Sequence, residues 1–200
     1  MDMIEKSQSG WESGLVPVER ICLFQIARDT LSACVRHPLQ EFCWDRYVLT
    51  EALQQERACF VTLHLMGGML RGCIGTLEPV APLYRSVHDN TVSAALHDPR
   101  FRPVQAEEIP QISMTISILS PAEPIQDVSA FVPGRHGIII EKDGHRAVFL
   151  PEVAAEQGWT REETLGALCQ KAGLPEHAWR IDTAFAIFHT AILSGSGEGH

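Results

Sequence analysis

Leu70-Arg71-Gly72-Cys73-Ile74-Gly75 sets a thiol and a guanidinium among glycines, in a stretch that otherwise has the character of a β-strand. A thiol beside a cation has a lowered pKa and a larger thiolate fraction. Cys73 in this setting reads as a nucleophile or redox thiol, with Arg71 stabilising thiolate or substrate charge. Gly72 and Gly75 would leave room for a substrate beside it. The opposing reading is packing, since free cysteines are among the most buried residue types and glycines let a helix approach a sheet closely.

The elements that must position these residues form a hairpin. Residues 58–65 are apolar and β-branched, Gly67-Gly68 is a two-residue turn signal, and residues 69–77 return as the partner strand. A tight turn there sets His64 opposite Arg71 and Thr62 opposite Cys73. Because side chains alternate, Thr62, His64, Arg71 and Cys73 then share one face, and Val61, Leu63, Leu70 and Ile74 the other. His64 adds a second positive group and a proton carrier.

The motif Leu70-Arg71-Gly72-Cys73-Ile74-Gly75-Thr76 resembles the signature heptad of the AMMECR domain family. The likeness continues, in order, through Phe60-Val61-Thr62-Leu63, Asp98-Pro99-Arg100-Phe101, Gly134-Arg135-His136-Gly137 and Phe149-Leu150-Pro151, and closes with Lys171-Ala172-Gly173-Leu174-Pro175 and Trp179. It spans the chain from about Pro17 to Ile192. Glu152 departs from it, standing where the family pattern has Gln. The resemblance implies an α+β fold in which two strand-and-helix repeats form one curved, barrel-like and mostly antiparallel sheet with flanking helices. It also implies association with a Memo-like protein and a radical-SAM protein, as in the AmmeMemoRadiSam systems, and it identifies no cofactor or substrate.

Composition narrows the classes. With 16 Lys and Arg against 25 Asp and Glu, the net charge of −9 argues against nucleic acid, which requires a basic surface. No stretch approaches the ~20 apolar residues of a membrane span, and Asp2, Glu5 and Glu12 do not fit a signal peptide, so a cytoplasmic location is expected. The six cysteines, at 22, 34, 43, 59, 73 and 169, form no Cys-x-x-Cys pair, which favours reduced thiols and disfavours structural zinc. His64, His88, His97 and His136 could meet only through the fold, and no metal site is expected.

Residues 1–15 read as a polar tail and 195–200 as a glycine-serine tail, leaving one domain over 16–194 in two intimate halves, about 16–125 and 126–194. Pro17 opens a helix to about Arg36, with Pro38 ending it. A pattern of hairpin, helix and strand then occurs twice. In the first half it is the 58–77 hairpin, a helix from Pro82 to Leu96, and a strand from Ile112 to Ser120 that alternates Ile112, Met114, Ile116 and Ile118 with polar residues. In the second it is a hairpin from His136 to Leu150 around Asp143-Gly144, a helix from Arg161 to Ala172, and a last strand from Ala184 to Thr190. Thr160 with Glu163 is a capping box for the 161–172 helix. Two halves imply a cleft, to which Cys73 and Arg71 come from one side and the Gly134–Gly137 loop with His136 from the other.

The candidate catalytic set is therefore Cys73, Arg71, His64 and His136. Gly72, Gly75, Thr62, Arg100 and Arg135 are candidate ligand-binding residues; Arg100 offers the planar fork that suits a carboxylate or phosphate. Two functions are open. One is an enzyme, or an enzyme component, using Cys73 on a small-molecule or protein substrate. The other is a non-catalytic ligand-binding or interaction module in which the motif is structural, so that Cys73→Ser costs stability and Arg71→Ala costs little.

Overall fold

In the computed structural model, residues 3–7, 10–37 and 39–195 are described. The chain runs β1 (Met3–Ser7), α1 (Pro17–Arg36), α2 (Glu51–Gln54), β2 (Cys59–His64), β3 (Leu70–Gly75), α3 (Leu83–Leu96), β4 (Ser113–Leu119), β5 (Glu123–Ile125), β6 (Gly137–Lys142), β7 (His145–Phe149), α4 (Pro151–Gln157), α5 (Arg161–Lys171), β8 (Ala184–Phe188) and β9 (Thr190–Gly195). Among the described residues this is a mixed fold of five α-helices and two antiparallel sheets. Contacts divide it into two compact units, one of residues 12–119 with 3–6 and 192–195, the other of 120–191 with 7, 10 and 11.

The first unit carries a five-stranded sheet in the order β1-β9-β4-β2-β3. Its alternation follows the sequence. Val61, Leu63, Met114, Ile116 and Ile118 are buried, while Thr62 and Thr115, directly opposite each other, are half-exposed on the other face. Leu83, Val87, Ala94 and Ala95 of α3 are buried, as are Leu23, Ile26 and Ala27 of α1, and α3 packs on β2, β3 and α1. Cys22, Phe24 and Leu31 complete the buried stripe of α1, with Ile21 and Cys34 half-buried at its margin. Pro38, the expected stop, lies outside the described residues.

The second unit carries a four-stranded sheet in the order β5-β8-β6-β7. Its hairpin turns at Asp143 and Gly144, both at positive φ, and sets Glu141 opposite Arg146. Helix α5 begins at the capping box, in which Thr160 Oγ1 accepts from the Glu163 amide at 3.3 Å and Glu163 Oε2 from the Thr160 amide at 2.8 Å. Leu165, Leu168 and Cys169 of α5 join Phe131, Ile138, Ile140 and Phe185 in the core. The hairpin-helix-strand pattern holds in each unit. The strand after the helix pairs with the first hairpin strand, β4 with β2 and β8 with β6.

Three expectations need correction. The single barrel-like sheet is two separate sheets, and no closed barrel forms among the described residues. The last strand is two, β8 and β9, because the ladder breaks at His189, whose amide donates to Ser120 Oγ at 2.9 Å. Residues 3–7 form a strand instead of belonging to a tail. Glu5 fastens it, since its carboxylate pairs with Arg20 at 2.7 Å and accepts the Ser13 amide at 2.6 Å. Of the expected C-terminal tail, Gly195 ends β9 and residues 196–200 lie outside the described residues.

Candidate functional site around Cys73

The β2–β3 ladder sets Thr62 opposite Cys73 and Leu63 opposite Gly72, as expected, but His64 faces Leu70, and Arg71 is the extra residue of a β-bulge. The cause is the turn. The Leu65 amide donates to the Met69 carbonyl at 2.8 Å, so the loop is Met66-Gly67-Gly68, with both glycines at positive φ, one residue longer than a Gly-Gly turn. The bulge absorbs that residue at Arg71.

Arg71 is buried, 8% exposed, and its guanidinium forks onto Glu108, with Nε to Oε1 at 2.7 Å and Nη2 to Oε2 at 3.0 Å. The paired guanidinium holds the Glu108 carboxyl below its usual range, and Glu108 in turn raises Arg71. Glu108 Oε2 also accepts the Gln105 amide at 2.8 Å, which ties the 105–108 turn to the bulge. Nη1 of Arg71 is buried with no hydrogen-bond partner among the described residues.

Cys73 sits on the edge strand, where its amide and carbonyl face away from β2. Asp98, 4% exposed, accepts the Cys73 amide on Oδ2 at 2.9 Å, and Arg100 Nη2 donates to the Cys73 carbonyl at 3.1 Å. Arg100 also grips Asp98, with Nε to Oδ1 at 3.0 Å and Nη2 to Oδ2 at 2.7 Å, and this hydrogen-bonded pair pushes the Asp98 carboxyl far below the carboxylate range. The Asp98-Pro99-Arg100 corner thus supplies the edge of β3 with the partners that a further strand would supply. The half-buried Cys73 Sγ accepts from the Thr62 hydroxyl at 3.2 Å.

The two glycines have packing causes. A methyl group on Gly72 would stand 2.2 Å from the Ala94 carbonyl oxygen of α3, and one on Gly75 would stand 2.3 Å from the Phe60 ring and 2.5 Å from the Cys59 carbonyl. The space each leaves is filled by protein. His64 is half-buried, with Nδ1 3.3 Å from the Gly68 carbonyl, and no hydrogen bond joins it to Cys73 among the described residues. Thr62, Cys73 and Arg100 therefore share one local network with Asp98, Arg71 is committed separately to Glu108, Gly72 seats against Ala94, and His64 is bound into the hairpin turn.

His136 belongs to the second unit and serves its own turn. The Val132 amide donates to His136 Nδ1 at 3.2 Å, and the His136 amide returns to the Val132 carbonyl at 3.0 Å. Burial, with His189 and Arg135 adding to it, pushes the imidazole below its usual pKa. Its ring meets that of His189 edge to face at 5.0 Å, and His189 Nδ1 is buried without a hydrogen-bond partner. Gly137 makes room for the Phe188 ring, and Arg135 is exposed. Glu152, in the first turn of α4, has its Oε2 buried with no hydrogen bond, and burial raises its carboxyl.

All six cysteines are free thiols. Burial pushes Cys59 up to about 12 and Cys34 up to about 11, and it raises Cys22 and Cys169 as well, so these four are poor nucleophiles. No group of three or more His, Cys, Asp or Glu comes together as a metal site among the described residues. No helix among the described residues is long and apolar enough to cross a membrane. Glu108 was not found by sequence reasoning. It lies 37 residues from Arg71, and one acid after another in Glu107-Glu108 carries no local signal.

Comparison with known proteins gives consistent relatives. The family model AMMECR1 matches residues 24–193. Protein MJ0810 of Methanocaldococcus jannaschii is 43% identical over 136 residues, covering 64% of this chain and 68% of its own length. A Thermotoga maritima protein is 41% identical over 133 residues, covering 66% and 75%. The crystal structure of the uncharacterized protein PH0010 from Pyrococcus horikoshii superposes with a TM-score of 0.77 at 32% identity, covering 85% of this chain and 88% of that one.

Proposed function

The chain belongs to the AMMECR1 family, and from that premise we propose that it is a non-catalytic binding or interaction module in which Arg71-Gly72-Cys73 is a structural fastening. The observation that supports this most is the Arg71–Glu108 fork. The cation that would activate Cys73 is instead committed to a carboxylate that neutralises it. The glycines that would open a substrate space are filled by Ala94 and Phe60. The Memo-like and radical-SAM proteins implied by the family resemblance are the partners such a module would serve.

The stability roles then reverse the earlier expectation for a structural motif. Arg71→Met strips Glu108 of its partner and costs about 2 kcal/mol, the scale of a charge-assisted hydrogen-bonded contact. Cys73→Ser keeps the Asp98 and Arg100 bonds, which use only backbone, and costs less. Urea denaturation of both variants, with isothermal titration of each against a purified Memo-like protein, tests the proposal. Cys73→Ser should bind as the parent does. A Cys73→Ser protein that folds fully and has lost partner binding, or an Arg71→Met protein of undiminished stability, would overturn it.

A further inference from the structure

A second feature of the first unit has no part in the Cys73 network. A half-open cavity of about 560 Å3 lies against α1 and α3, with the 40–44 loop forming its outer wall. That volume is within the range of small-molecule sites. Ala33, Cys34, Val92 and Leu96 line it with apolar surface, and Phe42 and Trp44 add aromatic surface. The wall is held by aromatic packing: Phe42 meets Trp44 edge to face at 4.6 Å and His88 at 4.8 Å, and Trp44 meets Tyr84 at 5.1 Å.

Thr30 and Arg85 are two polar groups of this lining. Thr30 is 1% exposed, and its Oγ1 makes no hydrogen bond among the described residues. A helical threonine ordinarily returns its hydroxyl to the carbonyl one turn back, and an orphaned buried hydroxyl is costly. Arg85 is exposed, lies with its guanidinium carbon 4.8 Å from the Trp44 ring centroid, and makes no ion pair among the described residues. Stacking on Trp44 fixes the plane of the guanidinium and leaves its N–H fork open. Of the other titratable lining groups, His88 is held by Asp89 at 2.7 Å, and His37 and Glu41 are solvent-exposed. Cys34, kept a neutral thiol by burial, sets no opposing charge in the floor.

We propose that this cavity binds a small carboxylic acid with a ring-sized or short-chain apolar body. The body lies between Phe42 or Trp44 and the Val92-Leu96 side of α3, the carboxylate meets the Arg85 fork, and Thr30 Oγ1 supplies a hydrogen bond at the inner end. The unpartnered Thr30 hydroxyl distinguishes this place from an ordinary gap between helices.

Isothermal titration of the full chain with two matched pairs, 2-naphthoate with 2-naphthamide and octanoate with octanamide, reads the proposal directly. At least one acid should bind saturably at one site, and roughly tenfold more tightly than its amide, the increment expected of a charge-assisted bidentate contact. Arg85→Met, at an exposed position, should abolish that preference and bring the affinity for the acid down to that for its amide. Thr30→Val, which keeps the shape and removes the orphan, should weaken acid and amide alike while raising the melting temperature. Saturable binding of neither acid would overturn the proposal. So would equal affinity for acid and amide, or a preference that survives Arg85→Met. Full affinity of Thr30→Val for every ligand would overturn it as well.

Discussion

Asp98 accepts the backbone amide of Cys73 at 2.9 Å, from a position 25 residues further along the chain. The carboxylate that holds this amide is itself held by Arg100, which also reaches the Cys73 carbonyl. Asp98→Ala would leave a strand-edge amide without its partner and release Arg100. A loss of about 2 kcal/mol is expected, since a hydrogen bond to a charged group is removed and a donor is orphaned. Asp98→Asn, which keeps one acceptor oxygen, should lose less. Urea denaturation of the two variants beside the parent measures the difference.

The same two acids govern stability in acid. Asp98 and Glu108 both have carboxyls held below their usual range, by Arg100 and Arg71 respectively. A group whose folded pKa is depressed contributes stability that is fully present above the unfolded carboxylate value of about 4. That stability is lost as pH falls through the folded pKa. Denaturation midpoints measured downward from pH 6 should therefore drop below about pH 4, and the drop should be shallower in Asp98→Asn and in Glu108→Gln.

Gly72→Ala tests the packing account of the motif. The added methyl meets the Ala94 carbonyl oxygen at 2.2 Å, and backbone cannot step aside as a flexible side chain can. Helix α3 must move off β3, at a cost of about 3 kcal/mol. Thermal melting would show it. A Gly72→Ala chain that melts with the parent would mean that the helix is not seated as described.

Glu152 gives a stabilising prediction. Its carboxyl is raised by burial, its Oε2 has no hydrogen bond, and the family resemblance implies Gln at this place. For an acid with a raised folded pKa, the favourable contribution is present below the unfolded value and is lost as pH rises through the folded one. At pH 7 the buried charge is thus a penalty, and Glu152→Gln should stabilise the protein by roughly 1 kcal/mol. The gain should shrink as pH is lowered, which melting at pH 7 and pH 4 would record.

Local signals made much of this structure legible in the sequence. The alternation of Met114, Ile116 and Ile118 marked β4, the Thr160–Glu163 box marked the start of α5, and the Gly-Gly step marked a hairpin that sets Thr62 against Cys73. The bulge was not legible, because the register at His64 depends on whether the turn closes in two residues or three. Nor was the neutralisation of Arg71, since Glu108 reaches it only after α3 and a long loop have folded. Strand β1 was hidden by its polar composition, which reads as a tail until Arg20 is brought to Glu5. Phe42 and Trp44 were not read as part of a site, because only the packing of α1 against α3 makes them the wall of a cavity.

In the proposed role, Arg71 fastens Glu108 and does not activate Cys73. The most direct test is the alkylation rate of Cys73 by iodoacetamide at neutral pH, read by peptide mass spectrometry, in the parent and in folded Arg71→Met. The account predicts a rate in Arg71→Met that is unchanged or higher, since removing Arg71 takes away packing and no activating charge. A fall of about tenfold or more in the folded variant, the loss expected when a cation beside a thiolate is removed, would contradict it and return Cys73 to the role of an activated nucleophile.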